Sequence, residues 1–560
     1  MTFKSNENPM FRSKFSEDIF RQKYAHQDCY TWAALAKTLV NDVCGDLLPK
    51  DEVADLIDIV TDLKFIPGGR YLYYAGRPSK FFNNCYLLKA EEDSREDWAN
   101  LSWKSESCLM TGGGIGIDYS VYRPEGSSLS KTGGLSSGPI PKMEMINEIG
   151  RRVMQGGSRR SAIYASLNWK HRDVDTFLSS KNWYNMPVGS TGYTVGQVKE
   201  QDFNYAAAMD MTNISVNYDT EWLLNYWNTG DVGAVFKQNV KQALSTAEPG
   251  FSFNFFDKEN ETLRNACTEV TSSMDSDVCN LGSCNLGRID NLEDFQKVVT
   301  LATKFLLCGT LKAKLPYDKV YKVRESQRRL GLGLMGMHEW LIKRGGKYEV
   351  TEELHRWLRV YKSVSDATSL SSADSFSISR PVANRAIAPT GSIGILAGTS
   401  TGVEPIFAVA YKRRYLKNGT KWHYQYVVDS AAQELIDLYG ADPENIESAL
   451  DLAQDYKRRI KFQADVQDYV DMSISSTINL PQWGSKENNE DTVSEFTTTL
   501  ADYAHRLRGF TVYPDGCRGG QPLTPVAYSD ALGKLGEVFE ESIETHDICD
   551  ITGHGGSCGV

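Results

Sequence analysis

The chain has 560 residues, 41% of them hydrophobic and 24% charged, and 61 Lys and Arg against 72 Asp and Glu leave a net charge of −11. That balance repels a phosphate polymer and argues against nucleic acid as a partner, and no run of 18 apolar residues offers a membrane span. Eleven cysteines are too sparse for a disulfide scaffold; with no apolar leader at the N-terminus, they predict reduced thiols in a cytoplasmic protein.

Residues 1–65 read as a charged helical region, with Val53, Leu56, Ile57, Val60 and Leu63 at helical spacing between Asp51 and Lys64. Gly68-Gly69 breaks the pattern. Across a second region, 66–525, short apolar runs (Tyr86-Leu87-Leu88, Ile115-Gly116-Ile117, Ile214-Ser215-Val216) alternate with longer helical stretches. Such alternation predicts an α/β domain with mostly parallel strands. In the last region, 526–560, the spacing predicts one helix from Leu532 to Ile543. A glycine-rich arm from His546 to Val560 then carries Cys549 and Cys558.

Chemistry concentrates near the middle, at Asn265-Ala266-Cys267-Thr268-Glu269. In an extended segment the amide, thiol and carboxyl would share one side, within reach of one small molecule. A lone cysteine is more often a buried small hydrophobe; the polar flanks argue otherwise. A near-repeat follows, Cys279-Asn280-Leu281-Gly282-Ser283 and Cys284-Asn285-Leu286-Gly287. Gly331-Leu332-Gly333-Leu334-Met335-Gly336 fits the dinucleotide fingerprint, and Glu353 stands near the expected acid position. It follows the charged stretch Lys322 to Arg329 rather than a strand, so glycines for close helix packing explain it better. Pro389-Thr390-Gly391-Ser392-Ile393 offers backbone N–H groups that can close on phosphate.

Taken in order, these segments resemble the ribonucleotide reductases over roughly residues 65 to 560. Asn265, Cys267 and Glu269 match that family's finger-loop pattern, and Val278 to Ser283 its Val-Cys-Asn-Leu-Gly-Ser. Asn84-Cys85, then Gly112 to Gly116, resemble the first barrel strand and its glycine turn. Gly156 to Arg160, then Trp169 to Val174, resemble the loop that reports an allosteric effector. Pro389 to Ile393 and Thr401 to Pro405 match the phosphate turn, and Ile474 to Pro481 and Tyr513 to Gly516 the last barrel segments. The resemblance implies a ten-stranded α/β barrel of two five-stranded parallel halves, arranged antiparallel, with a finger loop through its centre.

It also implies roles. Cys267 would be a transient thiyl radical, Glu269 the base on the 3′-hydroxyl, and Asn265 a holder of substrate hydroxyls. Cys85 and a second thiol would supply two electrons and end as a disulfide; local pattern leaves Cys279 and Cys284 open, with Cys279 preferred. Asn84, Gly114, Pro389, Thr390, Gly391, Ser392 and Ile393 would bind substrate. Asp93, Ser94, Arg123, Arg159 and Arg160 would meet a dNTP or ATP specificity effector, at a site that a homodimer would build across its interface. Cys549 and Cys558 would re-reduce the pair and be reset by a thioredoxin-like protein; zinc held with His546 and His554 is the competing use.

The family divides by radical source. No Arg-x-x-Gly-Tyr glycyl-radical motif is present. Tyr73-Tyr74, the chain's one adjacent tyrosine pair, stands too early to be the relay that serves a radical-donating second subunit. Thr511-Val512-Tyr513-Pro514-Asp515-Gly516 resembles the adenosylcobalamin-dependent class. The expectation is therefore an adenosylcobalamin-dependent ribonucleotide reductase with no metal site. The substrate would be a ribonucleoside di- or triphosphate, with diphosphate preferred. The catalytic subunit of a two-protein metal-radical reductase is the runner-up, and a non-radical thiol-disulfide or zinc protein the third reading. The short N-terminal region predicts no overall-activity switch. Cys517 stands where relatives often have serine, and nothing in the sequence explains it.

Overall fold

Three helices lead the chain. α1 (Lys14–Lys23) begins where the Ser13 hydroxyl accepts the Ser16 N–H, α2 (Trp32–Cys44) where Thr31 does the same for Ala34, and α3 (Lys50–Thr61) follows Pro49. Such caps satisfy amides that a first turn leaves without partners. Along α2, Trp32, Leu35, Ala36, Leu39, Val40 and Val43 are buried, the stripe expected of an amphipathic helix. It packs against the helix Leu292–Lys312 in one hydrophobic cluster. The helix expected to reach Lys64 stops at Thr61. Leu63 takes a left-handed φ of 59°, which turns the chain into strand β1 (Phe65–Pro67). The structure is a computed structural model and describes residues 10–26, 28–153, 161–201, 205–417, 421–517, 523–535 and 537–540.

Five strands form the first half: β2 (Cys85–Lys89), β3 (Gly114–Asp118), β4 (Ile163–Asn168), β5 (Thr212–Tyr218) and β6 (Gly250–Phe253), each parallel to the next. They are buried nearly end to end, as parallel strands covered on both faces must be. A short hairpin follows, β7 (Leu263–Arg264) with β8 (Thr271–Ser272).

The second half begins with β9 (Asp277–Asn285), parallel to β10 (Leu330–Met335). β11 (Ala410–Lys417) and β12 (Lys421–Val428) leave it as a separate antiparallel hairpin, and β13 (Thr477–Leu480) and β14 (Gly509–Pro514) return in parallel. Residues 383–387 link the two pairs: Leu332 bridges Arg385, and Ile387 bridges Ile474 just ahead of β13. The halves meet antiparallel, β2 on β9 and β6 on β14, within a ten-stranded sheet. β7 packs on β2 and β3 of the first half. The loop after it reaches the second, where Ser473 donates its N–H to the Glu269 carbonyl at 2.8 Å.

The helix expected over 532–543 does not form within the described residues. A five-residue helix ends at Leu532 and is capped by Gly533. β15 (Leu523–Pro525) and β16 (Val538–Glu540) instead pair with β11 and β12, where Phe539 stacks on Tyr424 at 5.1 Å between ring centroids. Among the described residues no helix is long and apolar enough to cross a membrane.

Candidate active site

The β7–β8 hairpin carries Asn265 to Val270 at its tip. The tip is a tight turn rather than the extended segment that alternation suggested: Thr268 has φ of 71°, and its N–H donates to the Asn265 carbonyl at 3.0 Å. The Asn265 side-chain oxygen accepts the Val270 N–H at 2.9 Å, so the turn is braced from within. Buried Arg264 anchors the base, donating to the Asn254 side chain at 2.7 Å and the Arg508 carbonyl at 3.1 Å. Gly116 on β3 makes the crossing possible, since a Cβ there would stand 1.7 Å from the Arg264 carbonyl oxygen. Gly116→Ala is expected to displace the tip: overpacking of this kind costs about 1–3 kcal/mol, and a misplacement of ~1 Å at a reacting group costs ~10²-fold. Thermal unfolding and turnover of that variant should fall together; normal turnover would refute the tight crossing.

The turn brings Cys267 and Glu269 into the lining of one chamber, while Asn265 lies behind it and reaches the Cys85 sulfur. The chamber's lining includes Asn84, Cys85, Cys267, Glu269, Ser283 and the main chain of Pro389 to Ile393. Thr390 there has φ of 51°, which opens the turn into the short helix Gly391–Ala397. Gly114 lies behind the lining, paired with Cys85 in register and donating its N–H to the Asn84 carbonyl at 2.7 Å. Glu269 is fully buried; desolvation raises its pKa to about 7, against a smaller lowering by its hydrogen bond to Asn265. Its Oε2 has no partner among the described residues, and neither has the side-chain oxygen of Asn84. Buried polar atoms of this kind call for a partner, which a bound ligand's hydroxyls could supply.

Cys85 and Cys279 face one another across the antiparallel β2–β9 pair. Directly opposed Cα atoms lie ~4.5–5.5 Å apart, inside the ~4.4–6.8 Å that a disulfide spans. Asn265 Nδ2 donates to the Cys85 sulfur at 3.1 Å, tying the tip to this pair. Burial pushes the Cys279 thiol well up, with Arg329 opposing, so it stays protonated at neutral pH. Cys284 lies five residues on, on the other face of the strand, opposite Phe65 of β1 in an apolar cluster.

A second chamber reaches the tip at Ala266, Cys267 and Thr268. Tyr164, Asn213, Ser215, Glu248, Ser475, Thr477 and Thr511 contribute polar groups to it. Asn213 Nδ2 donates to the Ala266 carbonyl at 3.2 Å. Cys267, 4% exposed, is the residue whose lining role the two chambers share. Sequence patterns singled out its segments at 265–269, 474–481 and 511–516, but not Tyr164, Asn213 or Glu248, which the fold brings to them from separate segments.

Other expected residues lie elsewhere. Asp93 pairs with Arg123 at 2.5 Å, and Ser94 caps the helix Arg95–Met110. Arg159, Arg160, Cys549 and Cys558 lie outside the described residues. Among the described residues no cluster of His, Cys, Asp and Glu could hold a metal ion. Residues 331–335 of the glycine motif lie in strand β10, and Gly336, with φ of 72°, caps the helix Met337–Lys343. Gly331 and Gly333 admit close strand packing: a Cβ at Gly331 would lie 3.0 Å from the Cys279 sulfur, and one at Gly333 2.8 Å from the Ala386 carbonyl. Tyr24, Gly68 and Gly69, which the motif reading passed over, also line the first chamber.

Comparison with known proteins bears on the family and the fold. A family model described as ribonucleotide reductase, barrel domain, matches residues 83–211, 214–374 and 382–513. A Mycobacterium tuberculosis protein named vitamin B12-dependent ribonucleoside-diphosphate reductase is 25% identical over 533 residues, 86% of this chain and 74% of that protein. A Thermoplasma acidophilum protein of the same name is 27% identical over 517 residues, 83% of this chain and 66% of its own length. Among solved structures, the Actinobacillus ureae class Id ribonucleotide reductase alpha subunit shares the fold, with a TM-score of 0.69 at 16% identity over 90% of this chain and 97% of that one.

Proposed function

Because this chain belongs to the ribonucleotide reductase barrel family, we propose that it is a vitamin B12-dependent ribonucleotide reductase that removes a ribose 2′-hydroxyl by radical chemistry at Cys267. The observation that carries the reading is the position of one sulfur between two chambers. A radical made in one can act in the other only through a group that faces both. The second chamber's amide and hydroxyl groups suit the nucleoside end of adenosylcobalamin. When bound there, adenosylcobalamin supplies a one-electron oxidant for the Cys267 thiol through homolysis of its cobalt–carbon bond.

The chain's own residues then divide the work. Cys267, as a thiyl radical, takes the hydrogen atom from C3′ and becomes a thiol. Glu269 accepts the 3′-hydroxyl proton, and the 2′-hydroxyl leaves as water with a proton from Cys85. Cys85 and Cys279 together give up two electrons and their remaining proton to the sugar, closing a disulfide. Glu269 returns its proton to the 3′-oxygen, and Cys267 gives its hydrogen atom back to C3′. Asn265, bound to the Cys85 sulfur, positions that thiol against the leaving hydroxyl.

A base must be ionised to act. Burial raises the Glu269 pKa to about 7, so the fraction of carboxylate, and with it turnover, should rise with pH through about 7. Glu269→Gln should lower turnover by ~10²–10⁴-fold and remove that limb of the profile. A wild-type profile flat from pH 6 to 8 would exclude Glu269 as the base.

The finer roles follow from the same reading. The substrate is a ribonucleoside diphosphate, the class in the names of the M. tuberculosis and T. acidophilum relatives, with its phosphates on the 389–393 turn. A thioredoxin-like protein restores the dithiol through Cys549 and Cys558. A dNTP or ATP effector meets the Asp93, Ser94 and Arg123 region in a homodimer. Neither Tyr73 nor Tyr74 is among the residues that line the two chambers. The test is an anaerobic assay of the purified chain with adenosylcobalamin, a dithiol and each ribonucleoside di- and triphosphate. Deoxynucleotide formed without a second protein supports the reading; none formed with any substrate refutes it.

A further inference from the structure

The first chamber binds an anion, on the reading above, yet its lining holds no lysine, arginine or histidine among the described residues. Its one ionisable carboxyl, Glu269, would add negative charge. Turn amides attract phosphate through partial charges, but a diphosphate brings several full charges, and charge-assisted bonds are roughly twice as strong as neutral ones.

A cation reaches this turn from far away in the sequence. Lys23 ends α1, and its Nζ donates to the Ser392 hydroxyl at 3.2 Å. The next residue, Tyr24, is buried and lines the chamber itself. α1 is fixed along the helix Gly391–Ala397 by the Ser16 hydroxyl on the Ile395 carbonyl at 2.6 Å, and by Arg12 on the Gly398 carbonyl at 2.9 Å. Neighbouring cations are directed to carboxylates: Lys14 to Asp18 and Arg21 to Glu17, both at 2.9 Å, and Arg12 to Glu339 at 2.6 Å. Lys23 reaches the Ser392 hydroxyl of the phosphate turn.

We propose that Lys23 is a substrate-binding residue, which holds the 5′-phosphates of the ribonucleotide by charge from a helix outside the 83–513 span that matches the barrel family. It rests on the nucleotide reading of the chamber. The flexible four-carbon stem lets the ammonium move from the Ser392 hydroxyl to a phosphate oxygen, or bridge the two. The consequence is that affinity depends on phosphate charge through a side chain that the barrel motifs do not contain.

Lys23→Gln keeps a donor for Ser392 and removes only the charge; Lys23→Arg keeps the charge. With adenosylcobalamin and dithiol present, KM for the ribonucleoside diphosphate should rise about tenfold in the glutamine variant, more than kcat falls. Its dependence on salt should flatten, and arginine should restore most of the loss. A KM for Lys23→Gln within twofold of wild type, or a loss that arginine does not restore, would overturn the proposal and leave Lys23 as a tie between two helices. Wild-type turnover in the same assay separates this outcome from failure of the reductase reading, in which no nucleotide would be reduced at all.

Discussion

Cys267→Ser is expected to reduce deoxynucleotide formation to background, a loss of at least ~10⁴-fold by comparison with other essential nucleophiles, without unfolding the chain. The expectation follows from bond strength and position. An alcohol O–H bond is far stronger than a thiol S–H bond, so serine cannot become the radical that takes a hydrogen atom from C3′. No neighbour can stand in, because the two chambers have Cys267 in common, and Cys85 and Cys279 line or face only the substrate side. Serine is slightly smaller than cysteine and the hairpin tip is braced by Asn265 and Arg264, so thermal unfolding should change little. A variant that unfolds normally yet still reduces nucleotides would remove Cys267 from the chemistry.

The second large effect separates two cysteines that the local pattern could not. Cys279→Ser should stop multiple turnover, since Cys85 then has no partner with which to close a disulfide, while Cys284→Ala should turn over at close to the wild-type rate. The reason is the pleat. Residues an odd number apart point to opposite faces of a strand; Cys279 opposes Cys85, and Cys284 opposes Phe65. The assay is product formed per enzyme with excess dithiol, together with mass analysis of the disulfide left after turnover. Full turnover by Cys279→Ser, or its loss in a folded Cys284→Ala, would assign the pair wrongly.

Much of this site was legible in the sequence, and the parts that were not have physical causes. Asn265, Cys267 and Glu269 stand together in five residues, and a local motif survives whatever the surrounding fold does. Their gathering by a left-handed Thr268 was not legible, since the residue type gives no warning of a positive φ. The alternation of strands and helices announced an α/β domain. The Gly331 to Gly336 motif misled because glycine serves both tight turns and close strand packing; only the neighbours, Cys279 and Ala386, decide which. Leu532 to Ile543 has helical composition, but the 538–540 main chain pairs with β12 and Phe539 stacks on Tyr424, a tertiary override of local preference. Lys23 and Tyr24 escaped notice because their partners at 389–393 are more than 360 residues away, and Tyr164, Asn213 and Glu248 of the second chamber because the fold brings them from separate segments.

Deuterium at C3′ of the substrate tests the central claim most directly, because it follows the one atom that Cys267 is said to take and return. In an anaerobic assay with adenosylcobalamin and dithiol, the account predicts slower turnover of the labelled ribonucleotide and deuterium recovered at C3′ of the product. Cys267→Ser should show neither product nor exchange. Equal rates for labelled and unlabelled substrate, with product still formed when residue 267 is serine, would contradict it.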